Sequence, residues 1–181
     1  MVHGQVAKLT NDRLFLLTKR QAEKLPEEIR RCKTPDDYDG YKTEDGYCWW
    51  WLRSPGDNTF NVFFVYYSGY VYSHGYFIND NYGGVRPALR IEPELLDELS
   101  KDTDTIHYAG YEWLNISEYI GFPCLLMKTC LPKTRCFDKD SNNYRRSDIR
   151  VYLNELEKKI FSVCSETKSD IRTEPVSNLG R

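Results

Sequence analysis

The chain has 181 residues, a formal net charge of −2 and a sequence pI near 6.0. This balance offers no attraction to a phosphate backbone or an anionic membrane, so we predict neither nucleic acid nor membrane as a partner. No apolar run approaches the ~20 residues that span a bilayer. The first residues lack the pattern of a signal peptide, so the default expectation is a cytoplasmic domain.

The first predicted elements are a strand and a short helix. The apolar run from Arg13 to Leu17 is typical of a buried strand. Thr18 is a candidate N-cap for a helix over residues 19–25, which Pro26 ends. Residues 31–46 are polar and contain a proline and two glycines, which predicts a loop.

Three adjacent tryptophans follow, from Trp49 to Trp51. Successive side chains of a strand point to opposite faces, so at least two packing layers must receive the three indoles. An indole removes a large area from water when it is buried, which favours core positions over an exposed stacking site.

Residues 61–67 and 70–74 are predicted to form the two strands of a hairpin. A three-residue turn ending at Gly69 suits this segment, because that turn type needs a positive φ at its last position. The resulting register pairs Val65 with Val71 and directs both valines into the core. The opposite, exposed face then carries Phe64, Tyr66, Tyr70 and Tyr72.

The remaining elements are predicted from the positions of turn- and strand-breaking residues and from the spacing of apolar side chains. A strand over residues 85–91 contains Pro87, which favours an edge position or a bulge. Residues 92–102 are acidic and leucine-containing, which suggests a helical connector, and residues 165–181 hold at most one more helical turn. A three-stranded meander is predicted at residues 105–108, 111–116 and 123–129. A helix from Ser147 to Phe161 has a buried stripe at i, i+4, i+7 and i+11 spacing, formed by Ile149, Leu153, Leu156 and Ile160.

Two motifs carry a resemblance to a known family. WWLRSPG at residues 50–56 and GVRPAL at residues 84–89 resemble the hallmark of an uncharacterised bacterial domain family. Gly110 to Trp113, Leu125 to Lys128 and Arg146 to Asn154 resemble the opening part of that family. The family is similar to the C-type-lectin-like and formylglycine-generating-enzyme folds. This resemblance implies one α+β domain over residues 1–181, with antiparallel strands, one main helix and long loops.

The two halves of the resemblance occur in reversed order. Residues 1–91 match the late half of the family domain, residues 92–104 form a connector, and residues 105–181 match the early half. Three interpretations stay open: a circular permutant that closes on itself, two chains that exchange halves, or a fragment of a tandem array. We favour the permutant, because permutation is tolerated where chain ends lie close together. It predicts that residues 105–116 share a sheet with residues 85–91 of the same chain.

No catalytic or metal-binding motif is evident. Formylglycine-generating enzymes use a pair of cysteines near their C-terminal motif, whereas this chain has no cysteine between Cys48 and Cys124, and the calcium-ligand motifs of lectins are absent. The six cysteines form no C-x-x-C pair, so free thiols are expected and no metal or cofactor is predicted. Arg53 and Arg86 are interpreted as structural ties rather than an anion clamp. We therefore predict a non-catalytic protein.

The segment over residues 57–82 is the candidate functional region. It contains six tyrosines, four phenylalanines and four asparagines, and it lacks Lys, Arg, Glu, Gln, Met and Trp. Tyrosine, serine, glycine and asparagine dominate binding loops, because they combine contact area with adaptable hydrogen bonding. Some lectin-like proteins diversified by retroelements show similar absences, which makes diversification a further hypothesis. The candidate ligand-binding residues are Phe64, Tyr66, Tyr70, Tyr72, His74, Phe77, Asn79 and Asn81.

The expected ligand of this segment is a protein or a glycan. Two alternatives stay open: a degenerate relative of the formylglycine-generating enzymes, and an assembly domain that forms a homodimer through the same face. The missing cysteine pair argues against the first alternative. Size-exclusion behaviour would distinguish the second.

Overall fold

The computed structural model describes residues 12–101 and 105–170, and side chains as far as residue 162. The chain is an α+β domain in which short strands alternate with helices. Within the described residues, none of the helices combines the length and the apolar character that crossing a bilayer requires. The strands are β1 (Leu14–Phe15), β2 (Cys32–Lys33), β3 (Tyr47–Cys48), β4 (Trp50–Pro55), β5 (Asn61–Val65), β6 (Tyr76–Phe77), β7 (Ala88–Arg90), β8 (Ile106–Tyr108), β9 (Tyr111–Asn115) and β10 (Cys124–Met127). The helices are α1 (Lys19–Lys24), α2 (Glu27–Arg30), α3 (Pro93–Leu99), α4 (Ser117–Ile120) and α5 (Asp148–Asp170), with a 3₁₀ turn at Tyr144–Arg146.

The central sheet joins the two halves of the chain. Its five antiparallel strands run in the order β1-β7-β10-β9-β8. Strands β1 and β7 come from the first half and the other three from the second. The prediction that residues 105–116 share a sheet with residues 85–91 is confirmed, with β10 inserted between them.

Both faces of this sheet are buried, and the side chains alternate between two apolar clusters. Leu14, Leu89 and Leu125 are in register and contribute to one cluster, which also receives α3 and α5. On the opposite face, Phe15, Ala88 and Leu126 are in register and pack towards α1 and α4. The buried strand predicted at the start of the chain is confirmed, since residues 14–17 have no exposed surface.

The three tryptophans divide between the two clusters, as predicted. Trp49 and Trp51 pack in the α5 cluster, while Trp50 packs in the other. Strand β4 places them there because it pairs with β5, so that Trp50 opposes Val65 and Trp51 opposes Phe64. All three indoles are at least nine-tenths buried, which confirms the core interpretation.

The turn after β5 has the predicted geometry. The Gly69 amide donates to the Tyr66 carbonyl (2.9 Å), the Tyr66 amide donates to the Tyr70 carbonyl (2.8 Å), and Gly69 has φ +86°. Val65 pairs with Val71, and both valines are buried. The predicted second strand over residues 70–74 is reduced to this single bridge.

Pairing resumes at β6, where Asn61 opposes Phe77 and Val62 opposes Tyr76. The register shifts by two residues between these pairs and the Val65–Val71 bridge. Gly75 lies in the shifted stretch with φ +82°, and a Cβ there would lie 2.9 Å from the Val62 carbonyl oxygen. A glycine is therefore required where the chain crosses so close to β5.

Three predictions about the other elements need correction. The strand after Pro87 is not at an edge, because β7 lies between β1 and β10; the proline is tolerated because it directly precedes the strand. The stretch over residues 31–46 is not entirely a loop, since β2 begins at Cys32. Helix α5 extends to Asp170, beyond the single extra turn predicted after residue 165.

Helix α5 buries the predicted stripe. Ile149, Leu153 and Ile160 are buried, and Leu156 is half-buried against the same cluster. Ser147 caps the first turn through its Oγ, which accepts from the Arg150 amide (3.3 Å).

Leu153→Ala is expected to lower the free energy of unfolding by about 2–5 kcal/mol, because Leu153 has no exposed surface and its removal leaves a cavity. Val151→Ala is the matched control: Val151 lies on the same helix and is 56% exposed, so its loss should change stability by no more than about 0.5 kcal/mol. Urea unfolding of both variants measures the difference. A loss below about 0.5 kcal/mol for Leu153→Ala would contradict the assignment of the buried face.

Candidate functional site

Exposed rings between residues 66 and 77 form one surface, called here the aromatic face. It consists of Tyr66, Tyr70, Tyr72, His74, Tyr76 and Phe77. Its tyrosines and Phe77 are between 37% and 60% exposed. Tyr72 lies 6.4 Å from Tyr70 and 6.3 Å from His74, and Tyr76 lies 6.1 Å from Phe77; these two groups and Tyr66 are joined through the ring of Phe64.

Phe64 is the buried floor of this face. The prediction that Phe64 is exposed beside the tyrosines is wrong, because its side chain is only 5% exposed. It lies on the predicted side of β5, but Tyr72 stacks on it at 5.1 Å. Trp49 and Tyr76 contact it at 5.4 and 5.6 Å. Strand alternation thus gives the correct side of the strand, while the covering rings decide the exposure.

The loop after β6 extends the surface. Phe77, Asn79 and Asn81 are all exposed. Between them, the buried Ile78 anchors the loop: its amide donates to the Phe60 carbonyl (2.9 Å), and its own carbonyl accepts from the Phe137 amide (2.8 Å).

The predicted set omits three exposed aromatic residues of the same segment. Tyr76 is 40% exposed, and Phe60 and Tyr82 are each 62% exposed. Their signal in the sequence is the same tyrosine-rich, charge-poor composition. The alternation of side chains along a strand does not predict the exposure of Tyr76, because both residues of the edge strand β6 are exposed.

The few acidic and histidine side chains of residues 57–82 contact other residues of the same segment. His74 Nδ1 lies 2.8 Å from Asp57 Oδ2. Asp80 Oδ1 accepts a hydrogen bond from the Tyr82 amide (2.8 Å). Asp57 and Asp80 are the only acidic residues between 57 and 82, so the aromatic face is close to neutral.

The turn at the tip of the aromatic face is held by α2. Arg30 Nε donates to the Gly69 carbonyl (2.7 Å). A Cβ at Gly69 would lie 2.9 Å from the Glu27 carbonyl oxygen. This packing holds the turn that positions Tyr66 and Tyr70, so the two rings sit on a fixed backbone.

Arg86 is a structural residue, in agreement with the sequence interpretation. It has no exposed surface, and its guanidinium donates to the carbonyls of Met127 (2.8 Å), Ile29 (2.6 Å), Arg30 (3.3 Å) and Lys128 (3.4 Å). Among the described residues it forms no ion pair with a carboxylate. Arg53 is also buried, and burial lowers its pKa.

A second candidate site is a buried cluster of three thiols, Cys32, Cys48 and Cys130. Their Sγ atoms lie within 4.8 Å of one another, with Cys130 Sγ 3.3 Å from Cys32 Sγ and 3.1 Å from Cys48 Sγ. Cys32 opposes Cys48 in the β2–β3 pair, and the Cys130 amide donates to the Lys33 carbonyl. All three are free, and none is more than 1% exposed. The sequence prediction missed this cluster, because its members show no ligand spacing.

The environment of the cluster favours one thiolate. Burial disfavours the Cys32 thiolate most strongly, but hydrogen bonds from Cys130 and Cys48 and the charge of Arg86 outweigh it. The pKa of Cys32 therefore lies well below its ordinary value. Burial and the neighbouring Cys32 and Cys48 raise the pKa of Cys130 well above its ordinary value. The buried guanidinium and the thiols thus form one electrostatic unit.

The observed architecture defines an α+β domain with an aromatic-rich β surface. A family model described as a domain of unknown function, DUF6273, matches residues 3–93, and the chain belongs to this family. The matched segment contains both motifs, the aromatic face, Cys32 and Cys48. Comparisons with curated proteins and with solved structures found no match.

Proposed function

We propose that this domain is a non-catalytic binding module whose aromatic face contacts a protein partner. One observation carries the proposal. Of the nine large hydrophobic side chains that are exposed among the described residues, seven belong to residues 60–82. Exposed apolar side chains concentrated in one patch are typical of an interaction site, whereas scattered ones are not.

The shape of the face favours a protein over a glycan. Its rings meet edge to face, with interplanar angles of 88° for Tyr70–Tyr72 and 72° for Tyr72–His74. Such an arrangement presents ridges and gaps that partner side chains can fill, rather than one flat platform for a sugar ring. Tyrosine-rich, weakly charged surfaces are also typical of protein-binding loops.

The fold itself is proposed to be a circularly permuted relative of the lectin-like domains. Two observations support this idea: strands of both halves lie side by side in one sheet, and the family match ends at residue 93, close to the end of the late half. A cytoplasmic location is part of the proposal. The cysteines whose side chains are described are free thiols, which is typical of a reducing compartment.

The double variant Tyr66→Ala/Tyr70→Ala tests the binding function. Both side chains are substantially exposed, so we expect the free energy of unfolding to change by no more than about 1 kcal/mol. Affinity for the partner should fall at least about tenfold, since truncating an interface tyrosine commonly costs more than 1 kcal/mol. Val151→Ala, at an exposed apolar position of α5, is the matched control and should bind normally.

The partner is first identified with a photo-crosslinking amino acid at position 70 in the native host. Affinity is then measured by calorimetry with the purified partner and each variant. Normal binding by the double variant, or its unfolding, would contradict the proposal. Loss of binding to a glycan array in the double variant would assign the face to a sugar instead, and concentration-dependent dimerisation lost in the same variant would assign it to self-association.

A further inference from the structure

We propose that Cys32, Cys48 and Cys130 bind a Zn²⁺ ion that joins the two halves of the chain, with the Tyr38 hydroxyl as the fourth donor. The proposal is independent of the binding function assigned to the aromatic face. It rests on the convergence of three separate segments: β2, β3 and the loop after β10, in which Cys130 lies three residues beyond the end of the strand.

The sulfur geometry suits a tetrahedral ion. Zinc–sulfur bonds of ~2.3 Å place thiolate sulfurs about 3.8 Å apart in a tetrahedron. The Sγ atoms of the cluster all lie within 4.8 Å of one another, and the two contacts made by Cys130 are 3.1 and 3.3 Å. Movements of a few tenths of an ångström at each side chain would therefore open the site to the ion.

Tyr38 supplies an independent observation. Its side chain is only 8% exposed, and its hydroxyl is buried against the cluster, where its neighbour is the Cys48 thiol rather than a nitrogen or oxygen partner. A thiol is only a weak hydrogen-bond partner, so this buried hydroxyl would gain by binding an ion at the cluster. Structural zinc sites are almost always four-coordinate, and the phenol oxygen would supply the fourth ligand beside the three thiolates.

Gly84 packs closely against two of these donors. A Cβ on Gly84 would lie 2.6 Å from the Trp49 carbonyl oxygen, 2.9 Å from Cys130 Sγ and 3.2 Å from Tyr38 Oη. A side chain at this position would therefore crowd both the thiol cluster and the hydroxyl.

The charges favour a divalent ion. Three thiolates and one Zn²⁺ carry a single net negative charge. Arg86 is fully buried, acts electrostatically on Cys32, and forms no ion pair with a carboxylate among the residues that the structure describes. The zinc–thiolate centre would neutralise this guanidinium, as buried charges require.

Zinc binding would connect distant parts of the chain. Cys130 lies 82 residues beyond Cys48 and 98 beyond Cys32. A link across such long segments removes much conformational freedom from the unfolded chain. Zinc would therefore act as a structural clip, and its binding free energy would contribute to folding.

The test uses the full-length chain, reduced and freed of metal by a chelator that is then removed. Zn²⁺ is titrated in competition with a chromophoric chelator, and Co²⁺ is added to a second sample. We expect one Zn²⁺ per chain, a rise in melting temperature with zinc, and a thiolate-to-cobalt charge-transfer band with the intense visible bands of tetrahedral Co²⁺.

Variants assign the ligands. Cys130→Ser is expected to lower zinc affinity more than about a hundredfold, beyond what loss of an outer-shell partner does. Cys124→Ser is the matched control, because Cys124 is equally buried but lies outside the cluster, and its affinity should stay within about twofold of the wild type. Tyr38→Phe should weaken zinc binding and change the visible cobalt bands.

A measurement on the unmodified chain covers the case in which the serine variants do not fold. Zinc should protect Cys32, Cys48 and Cys130 from alkylation, as read by peptide mass spectrometry, and should leave the partly exposed Cys136 reactive. Absence of stoichiometric zinc binding, equal loss of affinity in Cys124→Ser, or a disulfide within the cluster of the freshly isolated protein would overturn the proposal. Unchanged cobalt bands in Tyr38→Phe would overturn the role of the hydroxyl.

Discussion

Gly83→Ala is expected to lower the free energy of unfolding by about 3 kcal/mol or more, at the upper end of overpacking effects. A Cβ on Gly83 would lie 1.9 Å from Trp51 Nε1 and 2.2 Å from Trp51 Cε2. The indole cannot move away cheaply, because it is fully buried and its Nε1 donates to the Arg135 carbonyl (2.8 Å). The added methyl group must therefore displace either the indole or the backbone.

Gly110→Ala is the control for Gly83→Ala. Gly110 has φ +78° and no atom within 4 Å of its hypothetical Cβ, so its substitution should cost only about 1–2 kcal/mol of backbone strain. Urea unfolding followed by tryptophan fluorescence measures both variants.

A double-mutant cycle isolates the clash. In a Trp51→Phe background the ring atoms nearest Gly83 are absent, so Gly83→Ala should cost less there than in the wild type. Equal costs in the two backgrounds would show that the indole is not what excludes a side chain at position 83.

Arg86→Met is expected to cost about 3–5 kcal/mol of unfolding free energy, comparable to removing one partner of a buried charged arrangement. The guanidinium donates to four backbone carbonyls and lies over the Trp50 ring at 5.2 Å. Methionine retains most of the volume but no donor, so buried acceptors lose their partners. Two of these carbonyls belong to the end of α2, which also holds the Gly69 turn, so the loss should spread to the aromatic face.

Two controls separate charge from geometry at position 86. Arg86→Lys keeps the positive charge but cannot span four carbonyls, so an intermediate loss is expected. Arg20→Met, at an exposed position of α1, should change stability by no more than about 0.5 kcal/mol. If Arg86→Met costs less than about 1 kcal/mol, the carbonyls find other partners and the structural role of Arg86 is wrong.

The elements that local chemistry specifies were the predictable ones. Thr18 and Gln21 form the capping box that begins α1, because both partners lie within one turn. Gly69 defines the hairpin turn, because the positive φ that the turn needs is inexpensive only for glycine. The division of Trp49, Trp50 and Trp51 between two layers follows from the two-residue period of a strand.

Exposure on the aromatic face was predictable only in part. Tyr66, Tyr70 and Tyr72 are exposed and Val65 and Val71 are buried, as strand alternation predicts. Phe64 differs, because Trp49, which directly precedes β4, and Tyr76 from beyond the turn close over it. Alternation assigns a side chain to one side of a strand, but the packing of other segments decides whether that side is covered.

By itself, the sequence determined the α+β class, the turn at Gly69, the buried stripe of α5 and the charge-poor, tyrosine-rich character of residues 57–82. Each of these depends on residues within a few positions of one another. The tertiary structure alone decided which tyrosines form a connected face and that Cys32, Cys48 and Cys130 meet in the core. Their meeting requires β2, β3 and the loop after β10 to converge from positions up to 98 residues apart. No local pattern encodes that convergence, because it arises when the β2–β3 pair and the loop after β10 pack into one apolar cluster.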